Sequence, residues 1–400
     1  MLDLAQARAQ LLAMARPLPV EQVPLVEAAG RPLAAPVTAR RSQPAAPLSA
    51  MDGYAVRAAE APGPWRLAFE QPAGAPPPPV LRSGEAARIF TGAIVPDGAD
   101  AILVQEEAAT EGDKLRARPG AQLASGQHIR PAGQEFAPGT PLLDLGEPLA
   151  PAAIGLAAAM GHATLPVHRR PHLTLLATGD ELVPAGDPLP HIGATPDSAR
   201  PMLTALLARR ARLDDLGIVP DRPHAVAEAI ARAAEADVLV TIGGASVGAY
   251  DLVRPALLAA GGTIDAWKVA IRPGKPLVIG RLGATLVLGL PGNPASAYVT
   301  ALLFLLPLLR ALVGHARPVP PETPARLAVA LPANGPRRNH LRATLEWRGS
   351  ERWATPHPVQ DSGMLWPVAH SNALVVREPN APAAEPGTGI FVLDSESRDS

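Results

Sequence analysis

Apolar positions in the second half of the chain alternate between two textures. From His172 onward, the runs Leu173–Ala177, Ala211–Val219, Asp237–Ile242 and Ala284–Leu290 read as strands. Between them, apolar residues recur at helical spacing over Ser198–Arg209, His224–Ala234 and Leu252–Ala259, and an apolar helix, Ala297–Leu309, follows the last strand. Strands alternating with helices in this way predict a central, doubly wound, mostly parallel α/β domain over residues 171–317. Ligands of such sheets bind beyond the carboxyl ends of the strands.

The first half reads differently. Residues 3–15, 20–29 and 148–160 carry helical spacing, so 1–43 and 142–170 form a helical and linker domain. Within it, residues 44–141 hold short β-like runs such as Arg88–Phe90 and Ala101–Gln105, cut by Gly/Pro turns, which predicts an inserted all-β module. After the proline-rich stretch Pro318–Pro324, residues 318–400 read as a small C-terminal β module with strands at Leu374–Arg377 and Gly389–Leu393.

Composition narrows the functional classes. A net charge of −1 over 400 residues gives no bulk field for nucleic acid or an anionic membrane, so any anion site must be local. The absence of cysteine removes thiolate metal sites and a cysteine nucleophile. Pro307 and Arg310 break the longest apolar run, so no membrane span is expected. Met1-Leu-Asp-Leu-Ala-Gln6 reads as a first helical turn rather than a leader, and the expected location is cytoplasmic. His168 and His172 read as linker residues, because Pro171 argues against a helix joining them.

The candidate chemistry sits in four loops of the α/β region: Thr178–Leu182, Ile242–Gly248 with Asp251 just beyond, Ala270–Pro276 and Gly289–Ser296. If their strands are parallel, all four share one sheet edge. The last loop, Gly-Leu-Pro-Gly-Asn-Pro-Ala-Ser, joins a strand to a helix N-terminus, where outward N–H groups and the helix dipole favour an anion. Gly243, Gly244 and Gly248 let backbone amides approach a phosphate, and Ser246 offers a hydroxyl. Arg272 and Lys275 bring cations, while Glu181, Asp221 and Asp251 bring carboxylates. Cations beside carboxylates at a glycine-rich edge suit a phosphorylated ligand with a divalent metal, and oxygen ligands favour Mg²⁺. Each piece alone has a plainer reading. Gly243-Gly244 is then a turn, Asp180-Glu181 a helix start, Lys275 a solvated charge and Asp221 a helix cap. Together in one domain they favour a site. In the β module, Asp52, Thr91 and Glu135 are polar or acidic residues in Gly-flanked loops, where sites often sit.

These motifs together resemble the molybdopterin molybdenumtransferases, the MoeA family, which includes the E domain of gephyrin. The matching runs are Ser49–Val56, Arg88–Gly92, Thr178–Leu182, Asp197-Ser198, Gly243–Gly248, Pro273–Pro276 and Leu290–Pro294, with Asp361–Leu365 and Ser371–Ala373 in the last module. They run in order along nearly the whole chain. The resemblance implies insertion of molybdate into adenylyl-molybdopterin with Mg²⁺, releasing AMP and forming the molybdenum cofactor. It implies a homodimer with its site between subunits. A molybdopterin adenylyltransferase and molybdoenzyme apoproteins are the further partners it suggests.

By position, the resemblance puts Asp221 and Asp251 at the metal and phosphates, and Glu181 at an acidic site position. Lys268, Arg272 and Lys275 fall on the basic cluster, and Pro291, Asn293 and Pro294 on the rigid loop. Asp52, Thr91 and Glu135 fall on the partner-subunit set, and Arg342 and Ser362 near anion contacts of the C-terminal module. The chain departs from the family pattern at Ala199, Ala249, Glu135 and Arg272. The alternatives are a molybdopterin adenylyltransferase, which generally lacks the two β modules, and a non-catalytic scaffold, which could lose the site carboxylates.

Overall fold

A computed structural model of the chain describes residues 1–244 and 252–395, the side chains of 266 and 267 excepted. Residues 1–21 with those from 167 onward form one compact unit, and residues 22–166 form another.

The first unit contains the α/β domain. Its elements are α1 (Leu4–Met14), β1 (His172–Thr178), α2 (Ala199–Leu207), β2 (Arg212–Val219), α3 (Pro223–Arg232), β3 (Val238–Ile242), α4 (Val253–Ala259), β4 (Thr263–Lys268), β5 (Pro276–Leu282), β6 (Thr285–Leu290) and α5 (Pro294–Leu312). The sheet order is β2-β1-β3-β6-β5-β4. The pairs among β2, β1, β3 and β6 are parallel, whereas β5 runs antiparallel to both β6 and β4. Two reversals cancel, so β4 runs in the same sense as β6. Its exit loop therefore reaches the carboxyl edge with those of the parallel strands.

Strand periodicity explains the double winding. Side chains alternate across a sheet, so Leu173, Leu175, Val238, Val240, Leu286 and Leu288 face one layer with α1, α2 and α5. Leu176, Leu239 and Val287 face the opposite layer with α3 and α4. The 19-residue helix α5 is long and apolar enough to cross a membrane, but 83% of its most apolar window is buried inside the protein. A π-helical turn, Ala301–Leu305, precedes Pro307, which has no N–H for the regular helical ladder.

The C-terminal strands β7 (Thr323–Leu327), β8 (Arg338–Arg348), β9 (Glu351–Pro356), β10 (Ala373–Arg377) and β11 (Gly389–Asp394) pair in the order β8-β9-β7-β11-β10. An additional β8–β10 pairing closes the ring around a core that includes Leu327, Ala343 and Val375. Ile271-Arg272, from the loop after β4, adds in parallel to Arg338-Asn339 at the start of β8. This pairing ties the C-terminal module to the carboxyl edge of the α/β sheet.

In the other unit, Ala101–Val104, Gly53–Val56, Glu85–Ile89, Trp65–Gln71, Lys114–Ala117 and Ala108–Glu111 form one six-stranded sheet in that order. Residues 20–29 do not form one helix. Val20–Pro24 is a strand and only Leu25–Ala28 is helical, because Pro19 and Pro24 keep the backbone extended up to the turn.

Candidate functional site

A cavity of about 760 Å³ opens at the carboxyl edge of the α/β sheet. Its walls come from the loop after β1, the segment entering α2, the β4–β5 loop, the β6–α5 turn and the C-terminal module. Of the sequence-derived set, it collects Glu181, Arg272, Lys275, Pro291, Asn293, Pro294 and Ser362.

Local sequence sets each wall. Pro294 takes the first turn of α5, where its missing N–H is no loss, and Asn293 is the N-cap. The Asn293 side chain does not cap the helix. Its Nδ2 donates to Ser362 Oγ at 2.9 Å, and Ala295 N–H donates to the Ser362 carbonyl at 3.2 Å. Gly243 has φ +85° and donates its N–H to the Leu290 carbonyl at 3.1 Å, locking the end of β3 to the start of that turn. A Cβ at Gly243 would lie 2.7 Å from the Thr178 carbonyl, so the sequence needs glycine there. Gly244 follows it out of β3, while Ser246, Gly248, Ala249 and Asp251 lie outside the described residues.

Asp221 is half-buried and is not a helix cap: α3 has Arg222 at its N-cap position with no side-chain cap bond. Asp221 instead faces Asp180. Asp180 N–H donates to Asp221 Oδ2 at 3.4 Å, and Asp221 N–H donates to Asp180 Oδ1 at 3.1 Å. Burial raises the Asp221 pKa, and the charges of Asp180 and Glu181 raise it further against the Asp180 N–H bond. Asp180-Glu181 is a turn leading into the short strand Leu182–Val183, not a helix start. Asp197, also in the cavity wall, is buried and neutralised by Arg200, whose Nε donates to it at 2.8 Å. Ala199, one of the departures from the family pattern, is the buried first residue of α2.

Other residues are placed apart. Lys268 lines a different hollow, with Met1, Leu2, Arg254 and Asp265, because it ends β4 before the chain turns into the cavity wall. Arg342 stands behind the wall rather than in it, 1% exposed, with Nη2 donating to the Asp361 carbonyl at 3.2 Å. Burial, reinforced by the charge of Arg272 and opposed by Asp361, pushes its pKa down to about 10. His172, read as a linker residue, begins β1 and pairs through Nε2 with Asp214 at 2.6 Å.

In the unit of residues 22–166, Asp52 Oδ1 accepts from the Thr91 N–H at 2.7 Å and the Thr91 hydroxyl at 2.9 Å. Those two bonds hold the Asp52 carboxyl below its usual range. Glu135 is exposed, and its N–H donates to the Gln43 carbonyl at 2.9 Å.

Arg337, Gln360 and Asp361 line the cavity and were missed by sequence reasoning. Asp361 opens a matching motif and Gln360 precedes it by one residue. Arg337 is one of many arginines, marked only by its place beside the strand that receives Ile271-Arg272.

Among the described residues, no three acidic or imidazole groups stand ready to cage a metal. Asp180 and Glu181 nevertheless bring negative charge close to Asp221, so carboxylate oxygens are neighbours here without forming a three-ligand cluster. Such oxygens fit a hard cation that keeps waters and shares ligand phosphates.

A doubly wound domain with a mixed-charge cavity beyond its strand ends, walled partly by an appended β module, defines a ligand-binding α/β enzyme. Comparison with known proteins narrows that class. Residues 2–161 match the MoeA N-terminal region (domain I and II), residues 174–311 a probable molybdopterin binding domain, and residues 324–394 the MoeA C-terminal region (domain IV). A molybdopterin molybdenumtransferase from Nostoc is 36% identical over 391 residues, covering 93% of this chain and 88% of the relative. Molybdopterin molybdenumtransferase 2 of Mycobacterium tuberculosis is 38% identical over 363 residues, covering 84% and 85%. The crystal structure of a molybdopterin biosynthesis MoeA protein from Pyrococcus horikoshii superposes with a TM-score of 0.84 at 27% identity, covering 98% of each chain. The chain belongs to the MoeA family of molybdopterin molybdenumtransferases, enzymes of molybdenum cofactor biosynthesis.

Proposed function

We propose that this chain inserts molybdate into adenylyl-molybdopterin with Mg²⁺, releasing AMP and forming the molybdenum cofactor. One observation carries the reading: a single cavity sets Glu181 against Arg272, Lys275 and Arg337 beside the helix N-terminus at Pro294. Molybdate is a dianion, and Lys275, Arg272 and backbone N–H groups are suitable hosts for it. The same cations would offset charge on the phosphate oxygens as AMP leaves. Asp221 and Asp251 would hold Mg²⁺, which supplies Lewis-acid stabilisation of phosphate charge when bound. Glu181, which lines the same cavity, would orient the ligand.

Asp52, Thr91 and Glu135 would come from a second subunit of a homodimer, completing a site between chains. The Thr91 bonds hold Asp52 ionised and aimed, which suits a group that meets a ligand or hydrated cation. The enzyme would act in the cytoplasm, taking its substrate from a molybdopterin adenylyltransferase and passing its product to molybdoenzyme apoproteins.

The test is molybdate-dependent AMP release from adenylyl-molybdopterin with Mg²⁺, comparing wild type with Asp221→Ala and Lys275→Ala. Release by wild type and loss in both variants is expected. If wild type instead converts molybdopterin and ATP to adenylyl-molybdopterin, it is an adenylyltransferase. Inactivity in both assays would make it a scaffold.

A further inference from the structure

The C-terminal wall of the cavity is fixed by a side chain to which the proposed chemistry gives no role. The β8–β9 ladder ends where Ala343 faces Pro356, and the chain then leaves the sheet. Arg342, the next residue along β8, accepts the His357 N–H on its carbonyl at 2.9 Å, but its own N–H goes to Gln360 instead of returning to His357. Gln360 fills that gap. Its Oε1 accepts the Arg342 N–H at 2.9 Å, and its Nε2 donates to the Arg342 carbonyl at 2.9 Å. The same Nε2 reaches the His357 carbonyl at 2.8 Å. A primary amide has the donor and acceptor of a peptide unit, so Gln360 completes the backbone pairing that His357 and Arg342 leave half-made.

The residues just after Gln360 form the wall itself. Asp361 is held by Arg342 Nη2 on its carbonyl at 3.2 Å, and its own Oδ1 accepts the Gly363 N–H at 2.8 Å. Ser362 then meets the N-terminal turn of α5 through the two bonds from Asn293 and Ala295. One side chain thus fixes where a β-barrel loop touches a helix N-terminus of another domain.

We propose that Gln360 is a positioning residue: its amide sets Ser362 on the turn before α5 and so tunes the affinity of the cavity for its oxyanion substrate. This rests on the transferase reading. Gln360→Ala removes all three bonds. Gln360→Glu keeps the volume and one acceptor but turns a carboxylate on the carbonyls of Arg342 and His357. Loss of part-buried hydrogen bonds of this kind is expected to raise KM for molybdate about tenfold in both variants. A shift in KM with kcat within about twofold separates positioning from loss of the fold. Adding Ser362→Ala to Gln360→Ala should cost less than the product of the two single effects, since both act on one contact.

Turnover kinetics and a crystal structure of Gln360→Glu test it together. Expected are a raised KM and a Ser362 carbonyl withdrawn from Ala295. An unmoved 360–363 segment, or a moved one with wild-type KM, overturns the proposal. A wild-type protein inert for molybdate-dependent AMP release sinks the transferase reading, whereas displacement of Ser362 in the variant would still support the positional role.

Discussion

Gly274 is the point at which a single methyl group should displace the basic loop. It lies between Pro273 and Lys275 with φ +99°, a conformation L side chains rarely adopt. A Cβ built there falls 2.3 Å from Thr300 Cγ2 and 3.4 Å from Ile271 Cδ1. Thr300 cannot simply rotate away. It is fully buried on α5, and its hydroxyl is held on the Ser296 carbonyl at 2.7 Å and the Ala297 carbonyl at 3.1 Å. Forcing alanine into a left-handed conformation costs about 1–2 kcal/mol, and overpacking a tight contact a further ~1–3 kcal/mol. Gly274→Ala should therefore lose about 2–5 kcal/mol, read as a fall of roughly 1–2 M in the urea midpoint. Its KM for molybdate should rise, because Lys275 moves with the loop. The steric part has its own control. Thr300→Ser removes the clashing methyl and keeps both hydroxyl bonds, at a cost of ~1 kcal/mol of lost burial. In the double variant the clash is gone and only the backbone term and that methyl remain. A Gly274→Ala protein within about 0.5 kcal/mol of wild type would refute the reasoning, since that is the scatter of neutral substitutions. So would a double variant no more stable than the single one when the single loses more than the backbone and methyl terms together, about 3 kcal/mol.

Two pH- and metal-linked outcomes arise from the carboxylates. Asp221 is raised above its ordinary value of 3.8 by burial and by the charges of Asp180 and Glu181, so its ionised form weakens the fold above that value. Asp221→Asn should melt higher than wild type in metal-free buffer at neutral pH and lose any Mg²⁺-dependent rise in Tm; a lower Tm would contradict this. At Asp237, burial alone would raise the carboxyl, but bonds from Arg169 at 2.6 and 2.7 Å and from the His172 N–H at 2.7 Å outweigh it, and the pKa is lowered below 3.8. That stabilisation is present above 3.8 and is lost as pH falls through the depressed folded value. Asp237→Asn should flatten the acid limb of the stability curve, measured by melting from pH 6 down to about pH 2.

The α/β fold was legible because its central strands β1, β3 and β6 are buried on both faces, while α2 and α3 bury one face each. Leu173–Ala177, Asp237–Ile242 and Ala284–Leu290 stand out as apolar runs, and the structure places β1, β3 and β6 there. The antiparallel pair β4 and β5 was not assigned. Thr-Ile-Asp-Ala-Trp-Lys268 mixes polar and apolar residues because β4 is an edge strand, covered on one side only by β5. β5 starts on Pro276, a residue that usually argues against a strand but is tolerated at its first position. The placement of the basic loop at the carboxyl edge still held, because the reversals at β5 and β4 cancel.

The site was legible where chemistry and loop position coincide in sequence, and obscure where the fold alone supplies the neighbour. Arg272, Lys275, Asn293 and Glu181 each follow a strand and carry their own signal, and they meet in one cavity. Lys268 has the same charge and lies only four residues before Arg272, yet it ends a strand instead of entering the loop, and it faces another hollow. Spacing cannot separate those two fates, because the register at which β4 yields to the turn is set by its pairing with β5, where Lys268 faces Pro276. Gln360 carries no catalytic signature at all. Its significance arises only because β9 stops at Pro356, and His357 beyond it makes one of the two bonds to Arg342, leaving the Arg342 N–H for a side-chain amide to match. Residues that act by completing a ladder are visible only once the ladder's end is known. In this chain the cavity wall is therefore open to tuning by a lining residue whose amide is engaged on the backbone behind it.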